Sequence, residues 1–168
     1  MVPLPHDVCV LILDCDGVLT DGGMYFSADG QALKRFNVKD GLGLTRLADL
    51  GFPTAVVSGD DSAITAARCE ALRITHVVLG RMDKQSALNE LLATTGLSAE
   101  CAVYVGDDIT DIPAMRMVGL SVAVADAADE VREAADWVTQ RPGGHGAVRE
   151  VCDAIIDQLE RDGRTTGA

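Results

Sequence analysis

Short apolar runs alternate along the chain with longer stretches of helical periodicity. The apolar runs predict strands at residues 8–13, 54–57, 76–79, 102–105 and 121–124, and a short sixth strand at 137–138. The stretches between them predict helices at about residues 41–50, 62–72, 84–94, 111–117, 128–134 and 147–161. This alternation favours an α/β fold, in which helices cover both faces of a doubly wound parallel sheet.

One segment interrupts the alternation directly after the first strand. The stretch GGMYFSADGQALKRFN predicts a β-hairpin at about residues 23–37, with Asp29 and Gly30 at its turn. It carries Tyr25, Phe26 and Phe36, half of the six aromatic residues in the chain. Because an isolated two-stranded hairpin is marginal in water, we expect it to pack on its own domain or on another subunit.

Length and charge narrow the class of protein. The chain has 168 residues, which predicts a single domain over residues 1–168, with a flexible tail at about 162–168. The net charge of −12 argues against nucleic acid and anionic membranes as partners. No apolar stretch approaches the roughly 20 residues that span a bilayer. The opening MVPLPHD lacks the basic region of a signal peptide, so we expect a cytoplasmic protein.

The cysteines indicate no metal site and no disulfide framework. They are five, an odd number, and no two have C-x-x-C spacing. Cys9, Cys69, Cys101 and Cys152 lie in apolar segments and are predicted to be small core residues. Cys15 is not expected to be a nucleophile, because carboxylates flank it and no arginine follows within CDGVLTD.

Reactive side chains follow four of the predicted strands where each strand ends. Because the carboxyl ends of parallel strands meet at one edge of a sheet, these groups should converge in space. The carboxylates among them form a set of hard oxygen ligands suited to magnesium. In chain order the groups are Asp14 and Asp16, then Ser58 and Gly59, then Lys84, and last Asp107, Asp108 and Asp111.

A metal and a lysine facing a carboxylate form a site for phosphoryl transfer. Asp14 is the predicted nucleophile, which attacks phosphorus and forms an aspartyl-phosphate. Asp16 is the predicted general acid for the leaving alkoxide and then the base for the attacking water. Ser58, the N–H group of Gly59 and Lys84 are predicted to supply donors and positive charge.

The segments DCDGVLTDG, SGD, DK and GDDITD resemble, in order and spacing, the four motifs of the haloacid dehalogenase superfamily of phosphatases. The hairpin, LKRFNVKDGLG and the stretch from GLSVAVADA to REVCDAI resemble more narrowly the 3-deoxy-D-manno-octulosonate 8-phosphate phosphatases, which lack a cap domain. That resemblance implies a magnesium-dependent enzyme for a phosphorylated sugar acid. It also implies a homotetramer, in which the hairpins meet and cover neighbouring active sites.

The same resemblance implies roles for individual residues. The magnesium ligands would be the side chains of Asp14 and Asp107 and the backbone carbonyl of Asp16. Asp108 and Asp111 would hold metal-bound water and Lys84 from behind. The implied substrate contacts are Asn37, Val38, Lys39, Asp40, Gly41 and Arg68.

Two positions leave the substrate open. Asp60 stands where this family has an arginine for the sugar-acid carboxylate, and such a swap is unfavourable beside an anionic substrate. The nonulosonate 9-phosphate phosphatases, which act on sialic-acid-like sugars, carry an acidic residue there, but the lysine that they have near the position of Ala71 is missing from this chain.

Two interpretations are open for the glycine-rich loop at residues 143–146. Its glycines either form a plain left-handed turn before the last helix, or they form a mobile loop that reaches the active site of a neighbouring subunit.

A signalling module is the alternative from another class. Receiver domains also combine a phosphorylated aspartate, magnesium and a lysine on a doubly wound sheet. A receiver places its acceptor aspartate after the third strand and its lysine late. Here the third strand ends in VVLGRMDK, with the lysine early, so the enzyme is favoured.

Overall fold

The computed structural model describes residues 4–165, which form a six-stranded parallel sheet flanked by helices. The strands of this sheet are β1 (Val10–Leu13), β4 (Thr54–Val57), β5 (His76–Val78), β6 (Ala102–Gly106), β7 (Leu120–Ala123) and β8 (Trp137–Val138). Their order across the sheet is β5-β4-β1-β6-β7-β8, which confirms the doubly wound α/β fold. The helices are α1 (Val38–Asp49), α2 (Ala63–Ala71), α3 (Lys84–Thr95), α4 (Ile112–Met115), α5 (Asp129–Ala134) and α6 (Ala147–Arg161).

The central strands carry the core. Every residue of β1, β4, β6 and β7 is buried, as expected for parallel strands covered on both faces. Helix α1 packs against α6, and α3 packs against α4. Helix α1 begins at Val38, three residues before the predicted start, because Asn37 caps it by accepting a hydrogen bond from the Lys39 N–H.

The predicted hairpin is present, with β2 (Tyr25–Ser27) paired antiparallel to β3 (Gly30–Leu33). Gly30 follows the turn with a φ of 116°, which is accessible to glycine at little cost. The hairpin forms its own two-stranded sheet, separate from the parallel one. Met24, Phe26 and Leu33 are each about two-thirds exposed, so these side chains do not pack on the chain's own core.

The prediction for Cys9 and Cys101 was wrong. The two cysteines form a disulfide and are only partly buried. Strands β1 and β6 are parallel neighbours in which Val10 pairs with Ala102, so the residues that precede this pair also lie side by side. The sequence alone does not reveal that register. Cys15, Cys69 and Cys152 are free and buried, and Cys69 and Cys152 are core residues as predicted.

The end of the chain is described as far as residue 165. Helix α6 ends at Arg161, and Arg164 donates a hydrogen bond to the Val8 carbonyl oxygen at 2.9 Å. Residues 166–168 of the predicted flexible tail lie outside the described residues. Among residues 4–165, none of the helices is both long and apolar enough to cross a membrane.

Candidate active site

The predicted catalytic groups meet at the carboxyl edge of the sheet. Strand β1 lies between β4 and β6, so the loops after these three strands adjoin one another. Together with the start of α3 they enclose a cavity of about 220 Å³. Its lining consists of Asp14, Asp16, Ser58, Gly59, Asp60, Met82, Lys84, Asp107, Asp108 and Thr110.

Lys84 links the predicted nucleophile to the loop after β6. Its Nζ lies 2.9 Å from Asp14 Oδ1 and 2.7 Å from Asp111 Oδ1, and all three side chains are at least nine-tenths buried. Burial disfavours the charged lysine, but the charges of Asp14 and Asp111 raise the pKa of Lys84 above its usual value. The lysine therefore stays cationic at the cavity.

Burial raises the pKa of Asp14 to about 6, and the charge of Asp111 adds to this effect. The pKa of Asp107 rises further, to about 8, because the group is buried and faces Asp14 and Asp111. Carboxylate oxygens of Asp14, Asp107 and Asp111 lie within 4.8 Å of one another. Such a concentration of acids is unfavourable unless protons or a cation neutralise it.

Asp107 provides the test of whether a cation fits. Its Oδ1 is buried and accepts no hydrogen bond from any described residue. Gly17 makes room for this carboxylate, because a Cβ at that position would lie 2.0 Å from Asp107 Oδ2. An unpartnered buried carboxylate oxygen beside a second carboxylate is the donor set of a hard divalent cation, so the residues fit one.

Both carboxylate oxygens of Asp111 already accept hydrogen bonds from other groups of the chain. Its Oδ1 accepts hydrogen bonds from Lys84 and from the Tyr104 hydroxyl, at 2.7 and 2.9 Å. Its Oδ2 accepts from the N–H groups of Asp107 and Asp108. Asp111 therefore holds Lys84 and the loop after β6. Asp108 is exposed at the cavity and caps the Ile109 N–H, so its carboxylate does not hold Lys84 here.

The loop after β4 adds a hydroxyl donor. Ser58 is buried, and its Oγ accepts a hydrogen bond from the Asp60 N–H at 3.2 Å. Since the hydroxyl accepts in that contact, its own proton is free to be donated to a phosphate oxygen. Gly59 lines the cavity between these two residues.

Asp16 lies at the cavity with its side chain 45 % exposed, and it contacts a residue that the sequence did not single out. Lys34, just after β3, donates to Asp16 Oδ1 and Oδ2 at 2.8 and 2.7 Å. The same ammonium reaches Asp60 Oδ2 at 2.8 Å and Thr65 Oγ1 at 3.1 Å. Lys34, Thr65 and Tyr104 thus belong to the site. The sequence carried a signal for only one of these three residues, because Lys34 lies in the segment LKRF directly after the aromatic hairpin.

The segment 37–41 and Arg68 do not line this cavity. Asn37 caps α1 and donates to the Gly144 carbonyl oxygen, while Val38 is 84 % exposed. The carboxylate of buried Asp40 accepts from the N–H groups of Gly146 and Arg149, at the start of α6. Arg68 lies against Gly41 and over the Phe36 ring.

Lys39 lines a different and larger cavity, of about 630 Å³, beside α6. The glycine-rich loop at 143–146 packs on the loop after β1 of the same chain. Gly144 donates to the Val18 carbonyl oxygen, and Gly143 stands so close to Gly17 that it has no room for a side chain. Whether these elements meet a substrate of a neighbouring subunit stays a prediction.

Cys15 is unsuited to nucleophilic chemistry, as the sequence indicated. Its thiol is buried, and burial together with the charge of Asp16 raises its pKa to about 12. A thiol with so high a pKa is not ionised near neutral pH.

Comparisons with known proteins agree with this site. The family model described as haloacid dehalogenase-like hydrolase matches residues 62–151. The 3-deoxy-D-manno-octulosonate 8-phosphate phosphatase KdsC of Escherichia coli K12 is 44% identical over 151 residues, 90% of this chain and 80% of that protein. The chain therefore belongs to the haloacid dehalogenase-like hydrolases, and it is a phosphatase.

Two solved structures narrow the family. The cobalt-bound phosphatase of Haemophilus influenzae is 40% identical, with a TM-score of 0.89 over 96% of this chain and 95% of that one. The Moraxella catarrhalis phosphatase, in complex with magnesium, phosphate and KDO, is 36% identical, with a TM-score of 0.87 over 92% of this chain and 88% of that one. Within the hydrolases, the chain belongs to the family of the 3-deoxy-D-manno-octulosonate 8-phosphate phosphatases.

Proposed function

We propose that this protein hydrolyses 3-deoxy-D-manno-octulosonate 8-phosphate. The observation that carries the proposal is the cluster of Asp14, Lys84 and Asp107 at the carboxyl edge of the sheet, in a chain of this family. The relatives named above are phosphatases of that substrate. The cluster supplies the nucleophile, the cation and the metal-binding oxygens that such a hydrolysis needs.

Magnesium is the proposed cofactor. Asp14 and Asp107 would hold it with their side chains and Asp16 with its backbone carbonyl. When bound, the ion neutralises charge on the phosphoryl oxygens. Asp107 Oδ1, which has no hydrogen-bond partner in the part of the chain that the structure describes, supports this assignment, and the Moraxella catarrhalis phosphatase is in complex with a magnesium ion.

The protein groups divide the reaction between them. The Asp14 carboxylate attacks phosphorus and forms an aspartyl-phosphate, while the Ser58 hydroxyl and the Lys84 ammonium donate to the phosphoryl oxygens. Asp16 gives its proton to the leaving alkoxide and then removes one from the water that hydrolyses the aspartyl-phosphate. Both half-reactions thus use the same four side chains.

A nonulosonate 9-phosphate is the second candidate substrate, and Asp60 favours it. The residue lines the cavity where an arginine would hold the sugar-acid carboxylate. However, Lys34 offsets the charge of Asp60, so this side chain does not stand as a lone anion before the substrate. Because Lys34 pairs with Asp60, the negative charge of Asp60 counts less against octulosonate 8-phosphate than the sequence alone suggested.

A kinetic comparison separates the two substrates. Values of kcat/KM would be measured for octulosonate 8-phosphate, a nonulosonate 9-phosphate and glucose 6-phosphate, with magnesium and then with EDTA. We expect octulosonate 8-phosphate to exceed glucose 6-phosphate by about a hundredfold or more. A higher value for the nonulosonate would exchange the two candidates, and full activity in EDTA would overturn the metal assignment.

We also propose that residues 1–168 form one phosphatase domain. Four copies of the chain would assemble into a homotetramer in which the hairpins meet. The exposure of Met24, Phe26 and Leu33 supports this assembly, since an exposed aromatic hairpin is a pairing surface. Light scattering on the purified protein should give the mass of a tetramer. A Phe26→Ser variant should dissociate it, and a monomeric wild-type protein would contradict the assembly.

A further inference from the structure

Lys34 contacts Asp16 but has no role in the reaction proposed above. Its side chain is 2 % exposed, although it comes from the end of a hairpin that is otherwise largely solvent-facing. A buried lysine is rare unless it is paired. Here the pairing is complete, since the ammonium meets Asp16, Asp60 and Thr65 at 2.7 to 3.1 Å.

An ammonium group has three protons, and three partner groups use them. Asp60 and Thr65 are themselves tied together, because the Thr65 hydroxyl donates to Asp60 Oδ2 at 3.1 Å. Asp60 also accepts from the Ser62 N–H at 3.2 Å, next to the start of α2. The ammonium is therefore anchored on one side by α2 and presents its remaining donor capacity to Asp16.

Asp16 has few other contacts that fix it. Within the described residues its carboxylate accepts one further hydrogen bond, from the Thr20 hydroxyl at 3.5 Å, and its side chain is 45 % exposed. A carboxyl group that must face a leaving oxygen needs an orientation fixed within tens of degrees. Lys34 supplies that restraint from the side of the hairpin.

We infer that Lys34 is a positioning residue, which fixes the orientation of the Asp16 carboxyl group toward the leaving oxygen while Asp60 and Thr65 hold the lysine. The inference rests on the proposed role of Asp16 as general acid. A contact remains possible in both forms of Asp16, because the ammonium can donate to one carboxyl oxygen while the other carries the proton. It also gives Asp60 a role that does not require it to touch the substrate.

Leaving-group dependence distinguishes this role from a structural one. A 4-nitrophenolate leaves as a stable anion and needs no proton, whereas an alkoxide needs one. In Lys34→Met, kcat/KM for a primary alkyl phosphate should fall by about tenfold to a hundredfold. The value for 4-nitrophenyl phosphate should change by less than about threefold. Lys34→Arg should recover part of the loss, since a guanidinium can donate to both carboxylates.

The double variant with Asp16→Asn is the decisive measurement. If Lys34 acts through Asp16, adding Lys34→Met to Asp16→Asn should cost no further kcat/KM on the alkyl phosphate. Additive losses, or equal losses on the two substrates, would overturn the inference, because Lys34 would then act on the substrate or on the fold. Arg46→Met, which removes an ion pair with Asp153 between two residues that do not line the active-site cavity, is the matched control with unchanged kinetics.

Two precautions keep the test independent. The alkyl substrate is any primary alkyl phosphate that the wild-type enzyme hydrolyses, so a wrong assignment of octulosonate does not affect the comparison. Thermal unfolding of each variant checks folding. If Lys34→Met does not fold, Asp60→Asn takes its place, because it weakens the anchor and should give a smaller loss, confined to the alkyl phosphate. No loss in a folded Asp60→Asn would then count against the inference.

Discussion

The ammonium of Lys84 lies between Asp14 and Asp111, 2.9 Å from one carboxylate and 2.7 Å from the other. The three side chains are almost fully buried, and Asp107 adds a third carboxylate beside them. One cation thus offsets several acids in a place that water hardly reaches. The stability of the metal-free protein should depend strongly on that cation.

Removing the lysine tests this dependence. Lys84→Met keeps most of the side-chain volume but leaves Asp14 and Asp111 without their buried partner. We expect the free energy of unfolding of the metal-free protein to fall by about 3–5 kcal/mol at neutral pH. Urea unfolding measures the change. Lys39→Met at the exposed start of α1 should change stability by less than about 0.5 kcal/mol. Equal stability of the two variants would contradict the arrangement.

Magnesium should stabilise the protein more at pH 8 than at pH 5. The folded pKa values of Asp14, about 6, and Asp107, about 8, exceed the ordinary 3.8. The metal-free folded protein therefore holds protons that the unfolded chain has lost, and its stability decreases as pH rises from about 4 to about 8. A metal ion must displace those protons, so its apparent affinity should rise about tenfold per pH unit between pH 6 and 8.

Thermal unfolding with and without magnesium across this pH range measures the effect. Asp107→Asn serves as the control, since it removes the carboxylate whose Oδ1 has no hydrogen-bond partner among residues 4–165. This variant should lose most of the stabilisation by magnesium. A stabilisation by magnesium that is the same at pH 5 and pH 8 would contradict the assigned cluster.

A count of free thiols tests for the disulfide between Cys9 and Cys101. Thiol titration of the unfolded, unreduced chain should give three thiols, and prior reduction should give all five. The bridge joins residues 92 positions apart, so a chain-entropy argument gives it a stabilisation of roughly 4.6 kcal/mol. Cys9→Ser should lose about that much under oxidising conditions and little in the presence of dithiothreitol. Five thiols before reduction would rule out the bridge.

The sheet and the catalytic loops followed from local signals. Asp14, Ser58 and Asp107 each come directly after a buried apolar strand, and parallel strands bring such positions together whatever the details of packing. Lys84 was found in the same way, at the start of the helix after β5. These predictions needed only the order of strands and helices.

Other features depended on contacts that sequence patterns do not encode. The Cys9–Cys101 bridge follows from the register of β1 against β6, which hydrophobic runs leave undefined. Lys34 reaches Asp16 because of the path that the chain takes after the hairpin, and no periodicity describes that path. The Asn37 cap sets the start of α1, and the spacing of apolar residues does not indicate this cap.

The division of labour between Asp14 and Asp16 gives the last prediction. An amide cannot replace the attacking carboxylate, so Asp14→Asn should lower kcat by about a thousandfold or more on every phosphate ester. Asp16→Asn keeps the nucleophile and the backbone carbonyl. With 4-nitrophenyl phosphate, which needs no general acid, it should still form the aspartyl-phosphate but hydrolyse it slowly. Stopped-flow kinetics should therefore show a burst of one nitrophenolate per active site, and acid quenching followed by mass spectrometry should find the phosphate on Asp14. Asp14→Asn should show neither, and a burst that survives in that variant would place the nucleophile elsewhere.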